Sequence, residues 1–77
     1  MALFHAPGCH LCERAREVLA ALAEECDFEL TEVDISGNRD LEARYREWLP
    51  VVEIDGERAF TYTVPADAFR RRLARTN

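Results

Sequence analysis

Phe4-His5-Ala6-Pro7-Gly8-Cys9-His10-Leu11-Cys12, near the amino end, decides how this chain is read. A short apolar run meets a Pro-Gly break, and two thiols follow three positions apart. A helical pattern starts at or just before the second thiol. Cys9 therefore falls at the cap of a helix and Cys12 within its first turn. Unpaired N–H groups and the positive dipole end at a helix start lower the cost of a thiolate, the reactive form of a thiol. Two cysteines at this spacing also close a small disulfide. Both properties serve thiol–disulfide exchange. Position along the helix makes Cys9 the nucleophile and Cys12 the thiol that resolves the mixed disulfide. His10, once protonated, would favour the thiolate and tune the pair's potential; Glu13 would oppose it.

On the amino side, Ala2 to His5 reads as a first strand. On the carboxyl side, Leu11, Ala15, Val18, Leu19, Leu22 and Ala23 fall at helical spacing from His10 to Glu25. Phe28 to Ile35 reads as a second strand, with an apolar phase that slips between Leu30 and Val33. A bulge or partial burial of both faces accounts for the slip. Ser36-Gly37-Asn38 supplies a turn and capping candidates. Leu41, Tyr45 and Trp48 mark one face of a second helix, with Tyr45 and Trp48 expected in the core, or Trp48 lining a substrate groove beside Leu49-Pro50, and Pro50 ends the helix. Val51 to Ile54 and Arg58 to Tyr62 flank Asp55-Gly56, a hairpin signal because both turn positions want positive φ. A last helix starts near Pro65, as its first turn, or with Asp67 as its cap, and buries Phe69 and Leu73. The order is β-α-β-α-β-β-α. The first two strands should be parallel and the last two antiparallel, a four-stranded mixed sheet flanked by helices. Pro50 then opens the strand beside the first one, close to the thiols. On the residues alone, a trans proline that stops a helix is the better reading, because most X-Pro bonds are trans.

Seventy-seven residues (1–77) make one domain and leave a thin stability margin. The net charge of −5 argues against a nucleic-acid partner. No apolar run is long enough to span a bilayer. Met1-Ala2-Leu3-Phe4 lacks the marks of a signal peptide, so a cytoplasmic setting is expected. Three cysteines make a poor structural framework there, and a C-x-x-C favours redox or metal chemistry. Charge is uneven: residues 26–57 carry ten acids and three arginines, whereas 58–77 carry five arginines and one acid. Arg70-Arg71-Arg72 reads as a solvated helix face, or more sharply as a docking patch for an acidic protein.

Together these residues resemble the glutaredoxin branch of the thioredoxin fold, over almost the whole chain. Phe4-x-x-Pro7-Gly8-Cys9-x-x-Cys12 resembles the family's first strand and active-site loop. Val33-Asp34-Ile35 resembles its second strand, Leu49-Pro50-Val51-Val52 its cis-proline segment, and Asp55-Gly56 the hairpin that follows. Pro-Gly-Cys-His-Leu-Cys is similar to a group of short glutaredoxin-like proteins. The resemblance implies a thioredoxin-like α/β fold and a dithiol-disulfide oxidoreductase. Cys9 would attack, Cys12 resolve, and Leu49, a cis Pro50 and Val51 bind an extended substrate strand. It implies as partners a disulfide-bearing protein and a reductase or small thiol; a monomer with no bound cofactor is expected. The sequence departs from the family at several places. Ala6 stands where a basic residue is usual, and His10 and Leu11 stand where Pro and Tyr are usual. No Gly-Gly pair occurs around Thr63-Val64, although Asp67 matches the acidic residue beyond it. The usual glutathione-binding residues are thus unmatched, and another low-molecular-weight thiol or a protein reductant is equally allowed.

Other readings stay open. His5, Cys9, His10 and Cys12 offer zinc-ligand types, but no second ligand pair lies at separate spacing. A c-type haem needs a histidine after Cys12, and that residue is Glu13. A redox-inactive adaptor of the same fold would use the groove beside Pro50 without turnover. Cys26 reads as a small buried hydrophobe.

Overall fold

The computed structural model describes residues 1–76. Strand β1 (Ala2–His5) leads through Pro7-Gly8 into helix α1 (His10–Glu25). Strand β2 (Thr31–Asp34), helix α2 (Arg39–Tyr45) and a 3₁₀ turn (Arg46–Trp48) follow. Strands β3 (Val51–Ile54) and β4 (Glu57–Thr61) form a hairpin, and helix α3 (Ala66–Thr76) ends the described chain. The sheet order is β2-β1-β3-β4. Strand β1 is parallel to β2 and antiparallel to β3, and β3 is antiparallel to β4. This is the mixed four-stranded sheet expected from the element order, in the thioredoxin-like arrangement the resemblance implied.

Strand alternation sends side chains to two layers. Leu3, Val52 and Ile54 face α1 and α3, and pack with Ala15, Leu19, Leu22 and Phe69. Phe4 and Val51 face the other way and pack with Ile35, Tyr45 and Leu49. The phase slip in the second strand follows from these two layers. Phe28 and Leu30 join the first cluster, and Val33 and Ile35 the second. Both faces are thus partly covered. The hydrogen-bonded strand itself is confined to Thr31–Asp34, shorter than the expected span.

Local chemistry sets the other boundaries. The Asn38 side chain caps α2, its Oδ1 accepting from the Leu41 N–H at 3.1 Å. Asp55 and Gly56 have φ of 54° and 79°, as a tight hairpin requires. Helix α3 starts one residue later than expected from Pro65. The Pro65 carbonyl accepts from the Phe69 N–H at 2.9 Å, so Pro65 precedes the first helical residue. Asp67, the other cap candidate, sits in the first turn and pairs with Arg70 at 2.8 Å.

Tyr45 is buried as expected, stacked on Phe4 with ring centroids 4.1 Å apart. Trp48 is a correction: it is 42% exposed. The chain tightens into 3₁₀ geometry at Arg46–Trp48, which turns Trp48 off the apolar stripe begun by Leu41 and Tyr45. Cys26 is a second correction: it is half-buried and closes α1, its N–H donating to the Leu22 carbonyl at 2.7 Å. The arginine run is partly neutralised within the chain. Arg70 pairs with Glu25 at 2.6 Å as well as with Asp67, and Arg72 with Glu57 at 3.3 Å.

Candidate functional site

The thiols sit where β1 runs into α1. Gly8 has a φ of 77°, a left-handed turn that glycine adopts at little cost, and it delivers Cys9 to the helix start. Cys9 is the N-cap residue. Its carbonyl accepts from the Glu13 N–H at 3.1 Å, and its Sγ accepts from the Cys12 N–H at 3.2 Å. The sulfur thus holds the place an oxygen usually takes in a helix cap.

Cys12 lives in a different environment. It is 2% exposed and belongs to the apolar cluster of Phe4, Tyr45, Leu49 and Val51. Burial, reinforced by the hydrogen bond to Cys9 and by its charge, pushes the Cys12 thiol up to about 12. A hydrogen bond from the Ala6 backbone acts in the opposite sense, more weakly. One sulfur is half-exposed and capped by an N–H; the other is buried and holds its proton. The two sulfurs thus differ in exposure and in hydrogen bonding.

The remaining sequence-marked residues fall around this pair. The Leu49–Pro50 peptide bond is cis, against the reading from the residues alone and as the resemblance implied. Leu49 and Val51, on either side of it, share the buried cluster with Cys12 and the half-buried Cys9. The Pro50 carbonyl accepts from the Tyr62 N–H at 3.0 Å. His10 points into solvent, its side chain 96% exposed, with Nδ1 3.7 Å from a Glu13 carboxylate oxygen. His5 and Asp34 pair in register across β1 and β2, and line with both thiols a cavity of about 200 Å³. The Ser36 N–H and hydroxyl donate to Asp34 at 2.9 and 2.6 Å and hold its carboxyl below the usual carboxylate range. Among the described residues, no group of three or more His, Cys, Asp or Glu side chains is arranged to hold a metal ion.

Sequence reasoning missed Tyr62 and Arg58. Tyr62 adopts a left-handed φ of 68°, and its hydroxyl donates to the Glu47 carbonyl at 3.1 Å. Its ring lies 6.1 Å from that of Trp48, and the Arg58 guanidinium lies 5.7 Å from the Trp48 centroid. Nothing in the local pattern marks Tyr62, which reads as the last residue of a strand.

A thioredoxin-like sheet with a capped dithiol and a cis proline defines the glutaredoxin-like class. Residues 1–74 match the family model described as Glutaredoxin-like domain (DUF836), and the chain belongs to that family. Two uncharacterized proteins, Rv0508 of Mycobacterium tuberculosis and Mb0520 of Mycobacterium bovis, are each 34% identical over 74 residues. Each match spans 90% of this chain and 76% of the relative. Among solved structures, the X-ray structure of target protein XcR50 from X. campestris superimposes with a TM-score of 0.81 at 27% identity. It covers 96% of this chain and 95% of that one. No helix among the described residues is long and apolar enough to cross a membrane.

Proposed function

We propose that the protein is a dithiol-disulfide oxidoreductase working through a reversible Cys9–Cys12 disulfide. The observation that carries this reading is the contrast between the two sulfurs. Cys9 is accessible and capped by the Cys12 N–H, whereas Cys12 is buried and protonated.

The Cys9 thiolate attacks one sulfur of a substrate disulfide. A Cys9–substrate S–S bond forms as the substrate's own bond breaks, and the departing thiolate takes a proton from solvent. Cys12 then loses its proton to solvent and attacks Cys9 Sγ. The Cys9–Cys12 bond forms, the second substrate thiolate leaves and is protonated, and two electrons have passed to the substrate. A protein dithiol, or two molecules of a small thiol such as glutathione, returns the pair to the reduced state. The backbone beside Pro50 binds the substrate strand at Leu49 and Val51. His10, exposed between the thiols, tunes the potential rather than carrying protons.

The test is turnover of a small disulfide, bis(2-hydroxyethyl) disulfide, under a thiol reductant. Cys9→Ser abolishes turnover. Cys12→Ser leaves the chain trapped as a mixed disulfide, visible by mass, when no small thiol is added. Full turnover by Cys9→Ser overturns the reading. So does stoichiometric zinc in protein purified without chelator.

A further inference from the structure

Among the described residues, the large apolar side chains that stay exposed are Leu11, Trp48 and Tyr62. Their distribution is not random. Leu11 lies between the two thiols, Trp48 lies two residues before Pro50, and Tyr62 is hydrogen bonded to the Pro50 carbonyl. Each is more than two-fifths exposed, between 42 and 43%. Exposed apolar surface gathered at one rim marks a contact site, whereas scattered single residues do not.

The rim is also fixed in place. Tyr62 holds a left-handed backbone conformation, which is strained for a bulky residue. Its N–H and hydroxyl are anchored on the Pro50 and Glu47 carbonyls. Two hydrogen bonds and a strained φ thus set one aromatic ring beside another at the thiol end of the sheet. A groove of about 210 Å³ runs between α1 and the segment after β4, with Leu11, Val18, Tyr62 and Val64 as its apolar lining and Arg14 on its wall.

Charge selects what the rim accepts. The chain carries a net charge of −5, and Arg16, Arg46, Arg70 and Arg72 are each paired with a glutamate. The two arginines at the rim differ. Arg14 lines the groove, and Arg58 lies over the Trp48 ring. Among the described residues neither forms an ion pair, so both guanidiniums remain available to a carboxylate from outside.

We propose that Leu11, Trp48, Tyr62, Arg14 and Arg58 form a docking rim for a protein segment whose reactive cysteine is flanked by apolar and acidic side chains. The proposal rests on the dithiol reading above and names its substrate class. The apolar side chain fills the groove against Leu11 and Tyr62, and the carboxylates meet Arg14 and Arg58. The rim thereby favours a protein substrate over a small disulfide.

Trp48 is the only tryptophan, so its emission reports on the rim directly. Two linear peptides serve as probes, each with one S-methylated cysteine that cannot exchange. Phenylalanine and glutamates flank that cysteine in one, phenylalanine and lysines in the other. At low salt the acidic peptide shifts Trp48 emission and binds about tenfold tighter than the basic one. Arg14→Glu, a change at an exposed residue without an ion pair, removes or inverts the preference. Tyr62→Gly weakens both peptides, and its backbone suits the left-handed turn, so folding is retained. Equal affinity for the two peptides overturns the proposal. So does S-methylglutathione shifting Trp48 emission as strongly at the same concentration, because the rim would then serve a small thiol. Binding is read without exchange, so a failure of turnover contradicts the dithiol reading alone.

Discussion

Cys12 shows how one residue's surroundings decide its chemistry. A thiol at 2% exposure, hydrogen bonded to a second sulfur, holds its proton until the pH approaches about 12. In the reduced protein at pH 7, iodoacetamide therefore labels Cys9 first and leaves Cys12 intact, as mass analysis of digested protein would show. Equal labelling of the two at that pH contradicts the assignment of roles. The same shift has a consequence for stability. A thiol whose pKa is higher when folded binds its proton more tightly in the native state. Its contribution is whole below the ordinary value of 9.0 and is lost as the pH rises through about 12. Burial and the hydrogen bond to Glu53 shift Tyr45 in the same sense. The unfolding midpoint accordingly falls from pH 9 upward, and Cys12→Ala flattens that fall. An unchanged slope in the variant would place the alkaline loss elsewhere. The positions of Cys9 and Cys12 relative to a helix start are legible in the sequence, because capping is local. The cis bond before Pro50 and the left-handed turn at Tyr62 are not, because surrounding structure fixes them and neither residue type demands them.

At the scale of elements, agreement follows the strength of the periodic signal. Helix α1 lies where sixteen residues of one amphipathic pattern put it, and the Asp55-Gly56 hairpin where two turn residues with positive φ put it. The second strand is harder to read, because its apolar residues serve two layers and an alternating pattern presumes one. Trp48 is missed for a related reason. Helical spacing places it with Tyr45, and the switch to 3₁₀ geometry breaks that spacing in the last turn before Pro50. Two substitutions weigh these elements. Phe69 is fully buried and touches the rings of Phe28 and Phe60, so it ties α3 to both ends of the first layer. Phe69→Ala costs about 3–5 kcal/mol in urea unfolding, enough to leave a chain of this size marginal. Asn38→Ala removes only a cap and costs about 1 kcal/mol. Equal losses from the two would mean that α3 is not docked through Phe69.

For the whole molecule, the sheet divides labour between its two faces and its end. The α1 and α3 face supplies most of the core. The α2 face buries Cys12 beside Leu49 and Val51, and the end of the sheet exposes Cys9. Ion pairs also tie elements together, as in the Glu25–Arg70 pair that joins α1 to α3. Both partners of that pair are nearly half exposed, so Arg70→Ala lowers the unfolding midpoint only slightly, and the loss vanishes at high salt. The direct test of the account is a redox titration across dithiol and disulfide buffers, with free thiols trapped by alkylation and counted by mass. One two-electron transition confined to Cys9 and Cys12 is expected, with Cys26 free throughout and no transition in Cys9→Ser. Cys9 and Cys12 remaining free at every potential, or a disulfide that recruits Cys26, would contradict it.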